Sequence, residues 1–178
     1  MSIFPVYAIT DDDLDDCRAW ANSARHLPGN TRERISGRMG EIVARRALEA
    51  RGVVIEDGPE YGNDLYAVTS AGRIPIEVKT RDGRFRPRMD YDVLVPAKRF
   101  ARQGRESSFF LFLWAYESRG ETFVYVLGAE SSDRVREWRY FDAGDPWPGS
   151  DHVSKYPVYR QTVAHLMTCD EAAEVLRA

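Results

Sequence analysis

Along the chain the apolar residues change their spacing, and each spacing predicts an element. "DDDLDDCRAWANSAR" (Asp11 to Arg25) predicts a short helix with aspartates at the positive end of its dipole. "HLPGNT" breaks it. Ile35, Met39, Ile42, Val43, Ala47 and Ala50 then recur at helical spacing, predicting a second helix from about Arg32 to Arg51 that stops at Gly52. Strand patterns follow in "VVIE" (Val53 to Glu56), "DLYAVTS" (Asp64 to Ser70) and "RIPIEVKTR" (Arg73 to Arg81), the last two joined by a tight turn at Ala71-Gly72. "YDVLV" reads as another strand and "AKRFARQ" as a short helix. "FFLFLWAY" (Phe109 to Tyr116) reads as a buried central strand, paired across "ESRGE" with "TFVYVLGA". Trp138 to Val153 is rich in Pro, Gly and aromatics and predicts a long loop. "YPVYRQTVAHLM" reads as extended, and a helix begins near Cys169-Asp170. The core order is helix, three strands, helix, strand: an α/β domain with a mixed sheet flanked by helices. No repeat or linker divides residues 1–178, so one domain is expected, with its core at about 31–128.

One strand breaks the expected chemistry of a core. In Arg73 to Arg81, Ile74, Ile76, Val78 and Thr80 form one face, which leaves Glu77 and Lys79 together on the other. Burying two charges is costly unless each has a partner or a metal. Asp64 begins the preceding strand, and an antiparallel turn at Ala71-Gly72 brings it near Glu77 and Lys79. Two carboxylates with nearby water are a ligand set for Mg²⁺, and a lysine beside them can orient or deprotonate that water. Glu41, on the long helix, is a fourth candidate. Gly37 and Gly40 precede it, and glycine in a helix costs about 1 kcal/mol relative to alanine, so another backbone, or the substrate, is expected to approach closely there. The alternatives are structural: Glu41 pairs with Arg38 or Arg45 on a solvated face, and Glu77 with Lys79 as an ion pair. Asp57 and Glu60 compete with Asp64 as the second carboxylate. Pro75 requires that its strand have an edge or bulge there.

"GRMGEIVARRALEARG", which carries Glu41, followed by "DLYAV" and "IEVKTR", resembles the PD-(D/E)XK nuclease superfamily, and within it small prokaryotic and phage members such as Holliday-junction resolvases. The resemblance spans about Ile35 to Tyr116. It implies a restriction-endonuclease-like fold of core order αβββαβ and metal-dependent hydrolysis of phosphodiester bonds, most often in DNA. It implies Asp64 and Glu77 as metal ligands, the Val78 carbonyl as a further ligand, Glu41 holding the metal or its water, and Lys79 acting on the attacking water. The implied cofactor is Mg²⁺, with Mn²⁺ able to substitute. Where the family has Pro before the Asp, this chain has Asn63. A binding module on the same fold, without catalysis and within a larger complex, is the alternative.

Charge sharpens the choice of partner. The chain carries −3 overall, yet Lys79 to Arg105 holds nine Lys/Arg against three Asp. Such a basic stretch on an acidic chain is an electrostatic footprint for phosphates. Arg81, Arg84, Arg86, Arg88, Lys98 and Arg99 are expected to contact DNA, with Arg102 and Arg105 extending the track and Arg38 contributing from the long helix. Phe85 reads as a packing anchor or a stacking residue. Asp90 and Asp92 read as turn residues, or as ligands of a second metal. Trp138, Tyr140, Phe141 and Trp147 read as packing against the sheet, with a dimer surface or a base-stacking platform as alternatives. His26, His152 and His165 have no metal spacing, and Walker A, dinucleotide-binding and nucleophile-elbow patterns are absent. Cys17 and Cys169 read as reduced thiols of a cytoplasmic protein, since no secretory signal or membrane span is expected.

Overall fold

The computed structural model describes residues 3–27, 29–59, 63–106, 109–147 and 152–178, with residues 102–106 as backbone only. In chain order the elements are β1 (Val6–Ile9), α1 (Asp11–Ser23), α2 (Thr31–Glu49), β2 (Val54–Asp57), β3 (Leu65–Thr69), β4 (Gly72–Gly83), β5 (Asp92–Pro96), α3 (Ala97–Glu106), β6 (Phe109–Ser118), β7 (Glu121–Ser131), α4 (Ser132–Val135), β8 (Arg139–Phe141), β9 (Val158–Thr162) and α5 (Cys169–Arg177). A six-stranded mixed sheet runs β1-β7-β6-β4-β3-β2, and a three-stranded sheet runs β5-β9-β8. β4 and β6 are parallel and α3 lies between them in sequence; the other pairs in the main sheet are antiparallel. The α/β class and the order αβββαβ in the main sheet hold as expected. β5 does not join that sheet; it leaves to pair with β9.

The burial of β6 explains the architecture. Seven consecutive residues, Phe109 to Ala115, are buried, so alternation of polar and apolar residues vanishes as it does in strands covered on both faces. Leu111 and Leu113 pack under α2 and α5, with Val43, Ala47, Leu48 and Leu176. Phe110, Phe112 and Trp114 pack on the opposite side with Val93, Val95 and Trp138, beneath the small sheet and its flanking segments. The core therefore reaches beyond 31–128: β1 closes one edge of the main sheet, and α5 covers one face.

Several elements differ in detail from their pattern. In α2 the buried line is Ser36, Met39, Gly40, Val43, Ala44, Ala47 and Leu48, while Ala50 is exposed. The helix ends before Gly52, whose φ of +77° suits a stop residue. The β3–β4 turn is Ser70-Ala71, because Thr69 pairs with Gly72. Pro75 precedes Ile76, where pairing with β6 begins, so on that side the strand is still an edge. The expected loop after Trp138 contains β8 and a bridge between Pro146 and Val153. Among the described residues no helix is long and apolar enough to cross a membrane.

One ion pair ties α1 to α2. Thr10 and Asp13 form a capping box, and Asp13 also accepts from both Nη atoms of Arg46, at 2.9 and 2.6 Å. Hydrogen bonding from the Arg46 guanidinium lowers the Asp13 pKa to about 2. A depressed carboxylate stabilises the fold above its unfolded pKa of about 3.9 and loses that contribution as pH falls through the folded value. Asp13→Asn is therefore expected to cost about 1–3 kcal/mol at pH 7. In thermal melts the gap between variant and wild type should shrink as pH falls from about 4 to about 2; a gap independent of pH would refute the ion-pair account.

Candidate active site

α2 can lie against β4 because residue 40 is glycine. A Cβ there would stand 1.7 Å from Oγ1 of Thr80. The neighbour at Gly40 is the Thr80 side chain, not the backbone expected from the two helix glycines, and a Cβ at Gly37 would have nothing within 4 Å. Gly37 and Glu41 both face a cleft of about 730 Å³, whose walls include α2, β4 and β5.

Glu41, Asp64, Glu77, Val78 and Lys79 all line this cleft. Asp64 directly precedes β3, and its Oδ2 accepts the Val78 backbone N–H at 2.6 Å. That bond anchors the carboxylate across the β3–β4 pair, one step beyond Leu65↔Ile76. Glu77 is only 5% exposed, and Lys79 donates from Nζ to its Oε1 at 2.5 Å. The same ammonium lies 5.9 Å from the Phe110 ring centre, on the face that alternation predicts for Glu77 and Lys79. Arg38 Nη1 donates to Glu41 Oε2 at 2.7 Å.

The electrostatics record how closely the acids crowd. Burial is the main cause that pushes Asp64 up to about 7, and the Glu77 and Glu41 carboxylates add to it. Burial also raises Glu41, against the lowering effect of Arg38. Asp64 and Glu77 thus line the same cleft, and their charges interact across it. Among its rivals, Asp57 is held by Arg45 Nη2 at 2.6 Å, and Glu60 lies outside the described residues.

The basic residues divide. Arg81 and Arg99 line the cleft, and the Arg81 guanidinium lies 5.5 Å from the Trp114 ring centre. Arg84, Arg86 and Lys98 are exposed outside it, and Arg88 is held by Asp90 at 2.6 Å. Arg38 is engaged by Glu41 and lies 5.8 Å from the Trp20 ring, so any phosphate contact competes with that pair. The side chains of Arg102 and Arg105 lie outside the described residues. Asp90 sits in a turn, but Asp92 opens β5, lines the cleft and accepts from Arg160 Nη2 at 2.7 Å. Arg160 in turn lies over Trp147 and Phe141, at 4.9 and 5.7 Å. Nothing in the local sequence marked Arg160, because its partner is 68 positions away.

Comparison with protein-family models, curated proteins and solved structures finds no match. A reading of this site therefore rests on its residues and their geometry.

Those residues fit a hard divalent cation by chemistry: three carboxylates and a strand carbonyl are oxygen donors of the kind Mg²⁺ takes. Burial is the main cause of the raised Asp64; the Glu77 and Glu41 carboxylates add to it, and a cation would relieve that added part. Yet among the described residues no group of three or more His, Cys, Asp or Glu side chains stands ready to hold a metal ion. The carboxylates are also already engaged. Lys79 occupies an oxygen of Glu77, Arg38 an oxygen of Glu41, and the Val78 N–H an oxygen of Asp64. Cation binding must compete with the two ion pairs.

Proposed function

We propose that this chain is a metal-dependent nuclease, acting most naturally as an endonuclease on DNA, of the PD-(D/E)XK type that its motifs resemble. The observation that carries the reading is the meeting of Asp64 and Glu77 in one cleft, close enough to help raise Asp64 to about 7, with Lys79 2.5 Å from Glu77. Asp64, Glu77 and the Val78 carbonyl would hold Mg²⁺, with Glu41 toward the ion or its water. Bound there, the ion would supply an acidified water and offset charge developing on a phosphate. Lys79 is the group for the proton of the attacking water or for the charge on the reacting oxygens. Arg81 and Arg99, in the cleft wall, are the nearest candidates for gripping flanking phosphates, and such grips give affinity with strong salt dependence.

The test is incubation of the protein with plasmid, linear, single-stranded and four-way-junction DNA in Mg²⁺, Mn²⁺ or EDTA, beside Glu77→Gln. Cutting that needs the metal and fails in the variant is the expected result. Absence of cutting by folded protein on every substrate would overturn it. The arginine and lysine pairing of the acids, with no ready metal group among the described residues, favours a second reading: a binding module without catalysis. Calorimetric titration with Mg²⁺ separates the two, since the nuclease reading requires uptake that Glu77→Gln weakens and the module does not.

A further inference from the structure

β4 leaves the cleft through Arg81 and runs straight into the segment that carries Phe85. The ring of Phe85 is 71% exposed, so the packing role that its sequence allowed is not the one it plays. The backbone under it is nevertheless pinned. The Trp114 indole N–H donates to the Phe85 carbonyl at 2.9 Å. Gly83 makes this possible, because a Cβ there would stand 2.0 Å from the Trp114 ring. Farther along the loop, Ala164 N–H donates to the Met89 carbonyl at 3.0 Å and Val163 N–H to that of Tyr91 at 2.9 Å. The loop is held at both ends, and what it holds outward is an aromatic ring between two exposed arginines, Arg84 and Arg86.

An exposed phenylalanine forgoes the stabilisation that burying its ring would bring. An exposed aromatic ring next in sequence to two exposed arginines is the chemistry of a stacking surface for a nucleobase, with cations for the adjoining phosphates. Six residues separate Lys79 from Phe85, at most about 20 Å of extended chain. That is about six base-pair steps at 3.4 Å per step. Trp114 links the two regions, because it also carries Arg81 over its ring.

We infer that Phe85 is a base-stacking residue, which selects DNA having an unpaired or terminal base about six steps or fewer from the cleft. This inference rests on the nuclease reading for its choice of DNA. A base already out of its stack costs nothing to expose, whereas an intact duplex must first be opened. Single-stranded and branched DNA are therefore favoured over continuous duplex.

The experiment is equilibrium binding by fluorescence anisotropy in EDTA, where no cutting interferes. The probes are a single strand, a duplex with a single-stranded arm, and the continuous duplex. Phe85→Ala should weaken the first two about tenfold and the third less than twofold, and Phe85→Trp should restore them. The melting temperature of Phe85→Ala should match the wild type, because the ring packs against little. A 2-aminopurine base at the junction of the armed duplex should change its fluorescence on binding, and less so with Phe85→Ala. Equal weakening on all three probes, or on none, overturns the stacking role and leaves the nuclease reading standing. Failure of the wild type to bind any of the three also overturns the stacking role, while the nuclease reading stands or falls by the cleavage assay.

Discussion

Lys79→Ala is expected to lower metal-dependent cleavage about a thousandfold, the size of effect that follows loss of one charge-stabilising donor at a reacting centre. The reason lies in its position. Its ammonium lies within the same cleft as Asp64 and Glu41 and touches Glu77. Removing it also weakens the compensation of a carboxylate only 5% exposed, so the metal-free variant should lose about 2 kcal/mol and melt several degrees lower. Added Mg²⁺ should recover part of that loss, because a cation replaces the missing positive charge. Lys79→Arg separates the roles: it keeps the charge and the metal-free stability, but a guanidinium does not give up its proton. Cleavage lost in both variants assigns proton transfer to Lys79, while cleavage kept in Lys79→Arg assigns charge stabilisation. Lys79→Ala cutting within about threefold of wild type would remove Lys79 from the chemistry altogether.

Gly58→Ala should be the most damaging small substitution near the site. A Cβ at residue 58 would stand 1.5 Å from the Asn63 carbonyl oxygen and 3.1 Å from that of Asp64. Both are main-chain atoms, so no side-chain rotation relieves the clash. Gly58 also donates its N–H to the Asp64 carbonyl at 3.0 Å, which closes the segment that delivers Asp64 to the cleft. The added methyl must push this segment away, and overpacking of this kind costs about 3 kcal/mol. For a chain of this length that is a fall in melting temperature of about 6–12 °C. Displacing Asp64 by about 1 Å should cost a further hundredfold in cleavage. A Gly58→Ala protein with wild-type melting and activity would show that this segment does not position Asp64.

The site was more legible than its surroundings, for a reason visible in particular residues. Glu77 and Lys79 stood out because alternation along one strand placed two charges where a core face was expected. Asp64 followed from a short hairpin, in which register is set by a few residues. Glu41 was harder, since a carboxylate on a helix reads equally as half of a surface pair, and it does pair with Arg38. The burial that raises its pKa comes from packing of α2 against β4, which depends on Gly40 meeting Thr80. Asp92 was read as a turn residue or a ligand because its partner Arg160 arrives from a strand 68 positions later. Phe85 was open to either reading, because exposure of a single ring is not written in local pattern.

By itself the sequence determined the α/β class, the order of the core elements, the buried central strand and the placing of Glu77 and Lys79 on one face of a strand, while Asp64 and Glu41 stayed candidates beside rivals. These follow from periodicity and short hairpins, which are local properties of the chain. Only the tertiary structure decided that β5 leaves the main sheet, that β1 and α5 complete the core, that Arg160 pairs with Asp92 in the cleft wall, and that the Phe85 ring is held outward. Each of these depends on contacts between residues distant in the chain, where the gain from burial and pairing outweighs any local preference and no spacing in the sequence records the outcome.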